Sequence, residues 1–131
     1  MLAMKNNIAM DIYIEPGFSI NGISDLDIIT MFSNLIDNAL EAAILCRNER
    51  FVHIRMFTQN EGNFLVIRIS NSYAKVPLRI GEAFQSTKKD AGIHGVGLKS
   101  ISNTAEKNGG FLECFIEDMQ FIAILLLPQN I

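Results

Sequence analysis

Positive charge is scarce in this 131-residue chain: 11 Lys and Arg stand against 14 Asp and Glu, a formal net charge of −3. No global positive field exists to hold a phosphate backbone, so a DNA- or RNA-coating role is disfavoured from the outset. Long hydrophobic runs are missing as well. The longest strictly apolar stretch, Phe121 to Pro128, falls far short of the roughly 18–20 residues that span a bilayer. The N-terminal segment MLAMKNNIAMDIYIE lacks a basic start, a continuous apolar stretch and a small-residue cleavage site, so it does not read as a secretory signal. Cysteine is limited to Cys46 and Cys114, far apart and without a second sulfur or histidine at zinc-site spacing. They read as two reduced, buried thiols of an intracellular protein. What is abundant is apolar matter: 49% of residues are hydrophobic and 19% charged. That length and composition give one domain with a proper core and not two.

Periodicity divides the chain into elements. Ile8, Met10, Ile12 and Ile14 alternate with Ala9, Asp11, Tyr13 and Glu15, a strand ended by Pro16-Gly17. Phe18 to Gly22 reads as a loop or short strand. Ser24 then offers an N-cap hydroxyl, with Asp25 and Asp27 suited to the positive end of a helix dipole. Leu26, Ile29, Phe32, Ile36, Leu40 and Ala43 follow at spacings of three and four, predicting a long amphipathic helix from Asp25 to about Cys46. Phe51 to Gln59 and Phe64 to Ser70 read as strands joined by the turn Asn60-Glu61-Gly62-Asn63. Asn71 to His94 lacks a sustained period and is expected to be a long binding or lid loop, with at most one helical turn around Arg79 to Phe84. Gly95-Val96-Gly97 is expected to open a second helix, Val96 to Lys107, stopped by Asn108-Gly109-Gly110. Phe111 to Glu117 and Gln120 to Leu127 close the chain as a hairpin across Asp118-Met119. The order β-α-β-β-loop-α-β-β favours an α+β two-layer sandwich: a mixed, largely antiparallel sheet covered on one face by helices.

Four clusters could carry chemistry. Asn34, Asp37, Asn38 and Glu41 form one polar stripe on the first helix. It is either a solvated face or a set of oxygens for a hard divalent cation such as Mg²⁺, commonly shared with phosphate groups. Asparagine is a mediocre helix former, so two of them one turn apart favour a role beyond the helix itself. Gly92-Ile93-His94-Gly95-Val96-Gly97-Leu98-Lys99 places glycines where a helix start could meet an anion, or marks only a tight turn. It is not a P-loop, because Leu98 stands where the glycine before the lysine should be. It does not directly follow a strand, which removes the Rossmann fingerprint. Ser86-Thr87-Lys88-Lys89 could close over a polyphosphate or be a solvated basic loop. Ile69-Ser70-Asn71-Ser72 ends a hydrophobic strand in a polar cluster, a common ligand position that turn chemistry explains equally well.

The order of these clusters resembles the GHKL superfamily of gyrase, Hsp90, histidine kinases and MutL. Met31-Phe32-Ser33-Asn34-Leu35-Ile36-Asp37-Asn38-Ala39-Leu40-Glu41-Ala42 closely resembles its N box, and Ile69-Ser70-Asn71-Ser72 stands where its first glycine box falls. Ser86-Thr87-Lys88 resembles the lid, and Gly95-Val96-Gly97-Leu98 the second glycine box. The likeness covers about Asp11 to Leu127 and is strongest in the N box and the lid-to-glycine segment. Within the superfamily, NLIDNALEA, STKKD and HGVGLKSI look most like sensor histidine kinases, the peptide-quorum-sensor branch in particular.

The resemblance implies ATP and Mg²⁺ as cofactors. Asn38 would ligate the Mg²⁺ on the ATP phosphates, with Asn34 beside it, and Asn71 would take the place of the aspartate that hydrogen-bonds the adenine amino group. Ser72, Thr87, Lys88, Lys89, His94, Gly95, Val96, Gly97 and Leu98 would complete the nucleotide site. Hydrolytic members carry a glutamate where Asn34 stands, and an amide cannot abstract a proton from water; phosphoryl transfer, which needs mainly positioning and charge neutralisation, is still open to such a site. The Asp-X-Gly-X-Gly of the first glycine box is replaced by Asn71-Ser72, and Ile93 occupies the first glycine position of the second. His53, inside a predicted strand, and His94 both lack the helical setting of a phosphoacceptor. The expectation is a single domain, residues 1–131, cut from a longer sensor kinase. It would transfer the γ-phosphoryl group to a histidine on a separate dimerisation domain, with a response regulator downstream. It would be cytoplasmic, with no nucleic acid and no membrane contact of its own, the parent being a plasma-membrane receptor. Two alternatives stay open: a degenerate domain serving as a protein-interaction module, and a GHKL ATPase.

Overall fold

The computed structural model describes residues 6–74 and 91–129, with the backbone alone for residues 91–97. Among the described residues, five strands and two helices follow in the order β1 (Ala9–Ile14), α1 (Asp25–Ile44), β2 (Phe51–Gln59), β3 (Phe64–Asn71), α2 (Ala91–Lys107), β4 (Phe111–Glu117) and β5 (Gln120–Pro128). The sheet order is β1-β2-β3-β5-β4. Only β1 and β2 run parallel, across the crossover that α1 provides; the other three pairings are antiparallel. The mixed, largely antiparallel sheet with helices on one face matches the expectation from sequence.

Alternation in the strands decides which side the helices cover. Val52 and Ile54 of β2, Leu65, Ile67 and Ile69 of β3, and Ala123, Leu125 and Leu127 of β5 all point one way into the core. They meet Met31, Leu35, Ala39, Leu40 and Ala43 of α1 and Ile101 and Ala105 of α2. Each such aliphatic side chain contributes roughly 1.5–3 kcal/mol on full burial, so this one interface holds the sandwich together. Cys114 of β4 joins it, and burial pushes its thiol pKa up to about 12.

Local chemistry ends the elements where expected. The Ser24 hydroxyl accepts from the Asp27 N–H at 3.1 Å and caps α1. The β4–β5 hairpin turns on Asp118 and Met119, both with positive φ, 52° and 61°. Two-residue hairpins favour that geometry because its twist matches the strands. Gly110, just before β4, lies so close to the Leu126 carbonyl that any side chain there would collide with backbone.

Two boundaries differ from the sequence reading. α1 stops at Ile44, with Leu45 as its C-cap, rather than at Cys46. More important, α2 begins at Ala91, so Gly92, Gly95 and Gly97 lie inside the helix and not ahead of it. The expected loop character of His94 and of the glycine segment is corrected accordingly. Each interior glycine costs about 1 kcal/mol relative to alanine, which is why the sequence places the start at Val96. The segment contains no proline, so the helix nucleated over residues 98–107 can propagate backward through it.

Candidate functional site at one end of the sandwich

The two helices are locked antiparallel by a clamp at one end. Asp27, in the first turn of α1, accepts from Asn108 Nδ2 at 3.1 Å and pairs with Lys107 Nζ at 3.2 Å. These bonds, Asn108 first and Lys107 second, hold the Asp27 carboxyl below the usual carboxylate range. With the C-terminal end of α2 tied to the start of α1, the N-terminal end of α2 is directed toward the later turns of α1. The clamp leaves no local signal in the sequence, because its partners lie 80 and 81 residues apart.

On α1 the polar stripe divides by depth. Asp37 and Glu41 are exposed, whereas Asn34 and Asn38, one turn apart, are half-buried. The side-chain nitrogen of Asn38 is shut off from solvent and makes no hydrogen bond. Buried amides are almost always bonded, so such an orphan calls for an explanation other than fold stability.

β3 delivers the second group. Asn71 follows Leu65, Ile67 and Ile69 on the helix-covered face and is buried at the strand's end. Its Nδ2 donates to the Ser72 carbonyl at 2.9 Å, which uses the donor end of the amide and leaves Oδ1 as the acceptor for a ligand. Ser72 is buried too, but its hydroxyl accepts from the Phe51 N–H at 3.0 Å, and its own N–H donates to the Phe51 carbonyl at 3.1 Å. That side chain is therefore committed to extending the β2–β3 pairing.

Because Phe51 directly follows the linker from α1, the end of β3, the C-terminal half of α1 and the start of α2 share one end of the sandwich. The N–H groups of Ala91, Gly92 and Ile93, in the first turn of α2, have no partner within the helix and give that end a positive pole. Gly95, Val96 and Gly97 lie in the following turn, and Leu98 is half-buried against the core. Thr87, Lys88 and Lys89 lie outside the described residues. His53 is on β2, half-buried, with its ring 4.8 Å from that of Phe51; no helix surrounds it.

A cavity of about 670 Å³ opens beside this end, between the C-terminus of α1 and the β4–β5 turn, where Leu45, Tyr73 and Met119 line it. It touches Ser72 and includes neither Asn34 nor Asn38. Among the described residues no three His, Cys, Asp or Glu side chains gather to hold a metal. A divalent ion at Asn38 would thus need phosphate oxygens to complete its shell, which suits Mg²⁺.

Comparison with known proteins decides the family: the GHKL domain matches residues 23–128, most of the chain. The chain belongs to the GHKL domain family. The fold is shared with solved histidine-kinase structures. The nucleotide-free catalytic domain of histidine kinase ThkA is 17% identical with a TM-score of 0.75, covering 97% of this chain and 82% of that one. Full-length ShkA in complex with AMPPNP is 15% identical with a TM-score of 0.74, over 97% of this chain and 27% of ShkA. The Acinetobacter baumannii histidine kinase AdeS is 12% identical with a TM-score of 0.67, over 99% of this chain and 58% of AdeS. At these identities the likeness establishes the fold of the GHKL domain. No curated protein matches by sequence.

Proposed function

We propose that this GHKL domain binds Mg-ATP at the end of the sandwich where α1, β3 and α2 converge. It would serve as the catalytic domain of a sensor histidine kinase, of the peptide-quorum-sensor type, within a longer cytoplasm-facing receptor. The observation that carries the reading is the orphaned amide nitrogen of Asn38, a buried polar group left without a partner on the helix that packs against α2. A protein of this fold in complex with an ATP analogue, ShkA with AMPPNP, adds support.

Asn38 and Asn34 would offer amide oxygens to the Mg²⁺ that accompanies the phosphates, neutralising charge as the γ-phosphorus changes partners. Asn71 Oδ1 would accept from the adenine amino group, with Ser72 holding the amide in that orientation. The N–H groups at the start of α2, with Gly95 and Gly97 allowing close approach, would meet the phosphates, and Thr87, Lys88, Lys89 and His94 would cover them. The γ-phosphoryl group would leave the β,γ-bridging oxygen for an imidazole nitrogen on a separate dimerisation domain, the proton of that imidazole passing to solvent. Asn34 has no basic atom to activate water, so hydrolysis by the domain alone should be slow.

Titration of the chain with ATP and ADP, with and without Mg²⁺, tests this. Saturable binding that tightens with Mg²⁺ and loses that response in Asn38→Ala is the expected result. No saturation at millimolar nucleotide would overturn the reading and favour an interaction module. Rapid turnover by the isolated chain would favour an ATPase.

A further inference from the structure

β5 is apolar at every position from Phe121 to Pro128, a composition that belongs to strands covered on both faces. Here the helices cover only one. Phe121, Ala123, Leu125 and Leu127 face the core, while Ile122, Ile124 and Leu126 face the side that no described element covers. The flanking strands continue the pattern with Val66 on β3 and Phe111 and Phe115 on β4. Val66 and Ile122 are buried, but Ile124, Leu126 and Phe115 are only half-buried and Phe111 is 47% exposed. An open antiparallel face normally alternates to polar residues.

Two charges interrupt this surface. Arg68 of β3 and Glu113 of β4 both pair in register with Ile124, so they flank it symmetrically, about 10 Å apart at ordinary strand spacing. They make no ion pair with each other across Ile124. Neither finds an ion-pair partner among the described residues, and Arg68 lies next to Arg55, whose own charge is answered by Asp11 at 2.7 Å.

We propose that this face associates with a second copy of the chain as a face-to-face pair of sheets. An isologous contact requires a patch that is its own complement, and a positive and a negative group placed symmetrically about an apolar strand meet that condition. With the two-fold axis running along β5 between the sheets, β5 lies on β5 and β3 lies on β4 of the other copy. Arg68 then faces the partner's Glu113 on both sides of the axis, Ile124 faces its own counterpart, and Val66 faces the partner's Phe111. The ion pairs fix register more than they add affinity. Three overlapping strands give on the order of 300 Å² of flat contact per copy, about 600 Å² in all and below the size of a standard stable interface. The pairing is therefore reversible and concentration-dependent. It involves none of the groups assigned to nucleotide, so the two readings stand or fall separately.

Sedimentation velocity of the full chain, from low micromolar to several hundred micromolar, reads the association directly. A monomer–dimer equilibrium is expected. Arg68→Glu and Glu113→Arg should each weaken it about tenfold or more, since like charges then meet, and the double reversal should restore it. Circular dichroism checks that each variant is folded; should a reversal unfold the chain, Arg68→Gln and Glu113→Gln weaken the dimer without repulsion. A chain that stays monomeric throughout, or a dimer indifferent to both single reversals or not restored by the double one, overturns the proposal. So does association of this face with a different protein alone.

Discussion

Asn38 shows stability and function pulling one side chain in opposite directions. A buried donor without a partner costs roughly 1–3 kcal/mol, and its orphaned Nδ2 gives the nucleotide-free protein nothing in return. Asn38→Ala should raise the unfolding free energy of the nucleotide-free chain by about 1 kcal/mol in urea titrations, helped by the better helix propensity of alanine, while Mg-dependent nucleotide binding falls. Loss of stability together with binding would mean that the amide is structural. Met119 illustrates a different residue-level cost. It holds φ at 61° in the hairpin turn and is 84% exposed, so no packing offsets the left-handed backbone. Met119→Gly should gain about 1 kcal/mol, read as a raised urea midpoint with an unchanged slope. The i, i+4 spacing of Asn34 and Asn38 was legible in the sequence. The different depths of Asn38 and Asp37 were not, because they depend on how α1 lies against α2 and the sheet.

Pairs of elements carry the next level of information. β2 and β3 could be read from their period of two because one face of each is buried, and α1 from its period of 3.6. The pattern misplaced two faces, however. Ile12 and Ile14 of β1 are more than half exposed, and so are Leu26 and Ile29 of the expected stripe on α1, whose buried side is Met31, Leu35, Ala39, Leu40 and Ala43. The start of α2 could not: three glycines signal a break locally, whereas helix continuation is set by the turns that follow. The commitment of Ser72 to Phe51 was hidden as well, since it depends on the β2–β3 register. So was the Asp27–Lys107–Asn108 clamp, which ties the end of α2 to the start of α1 across helices far apart in sequence. The clamp has a pH signature. The carboxyl of Asp27 is lowered in the folded state by its bonds to Asn108 and Lys107, so its stabilisation is complete above the unfolded value of about 3.9 and is lost as pH falls through the lower folded value. The difference in unfolding free energy between the parent chain and Asp27→Asn should stay constant from pH 7 to about 5 and shrink toward pH 3. A difference that persists at pH 3 would assign the effect to packing.

At the scale of the whole molecule, one layer of apolar contacts joins five strands to two helices, so tertiary order should be lost in a single cooperative transition. The sequence supplied the layers and their order. The strand sequence β3-β5-β4, the direction of the open sheet face and the convergence of three segments at one end come only from pairing in three dimensions. Cys114 turns that cooperativity into something measurable. With its thiol pKa at about 12, about one native molecule in ten thousand carries the thiolate at pH 8, against roughly a quarter of unfolded chains with an ordinary cysteine pKa near 8.5. In a Cys46→Ala background, alkylation of Cys114 should therefore proceed only through opened molecules, and its rate should rise with urea in parallel with the unfolding equilibrium. A fast, urea-independent rate would instead reveal β4 peeling from the sheet by itself. The protein thus contains a chemical clock for its own opening, set by a sulfur atom that the nucleotide site never uses.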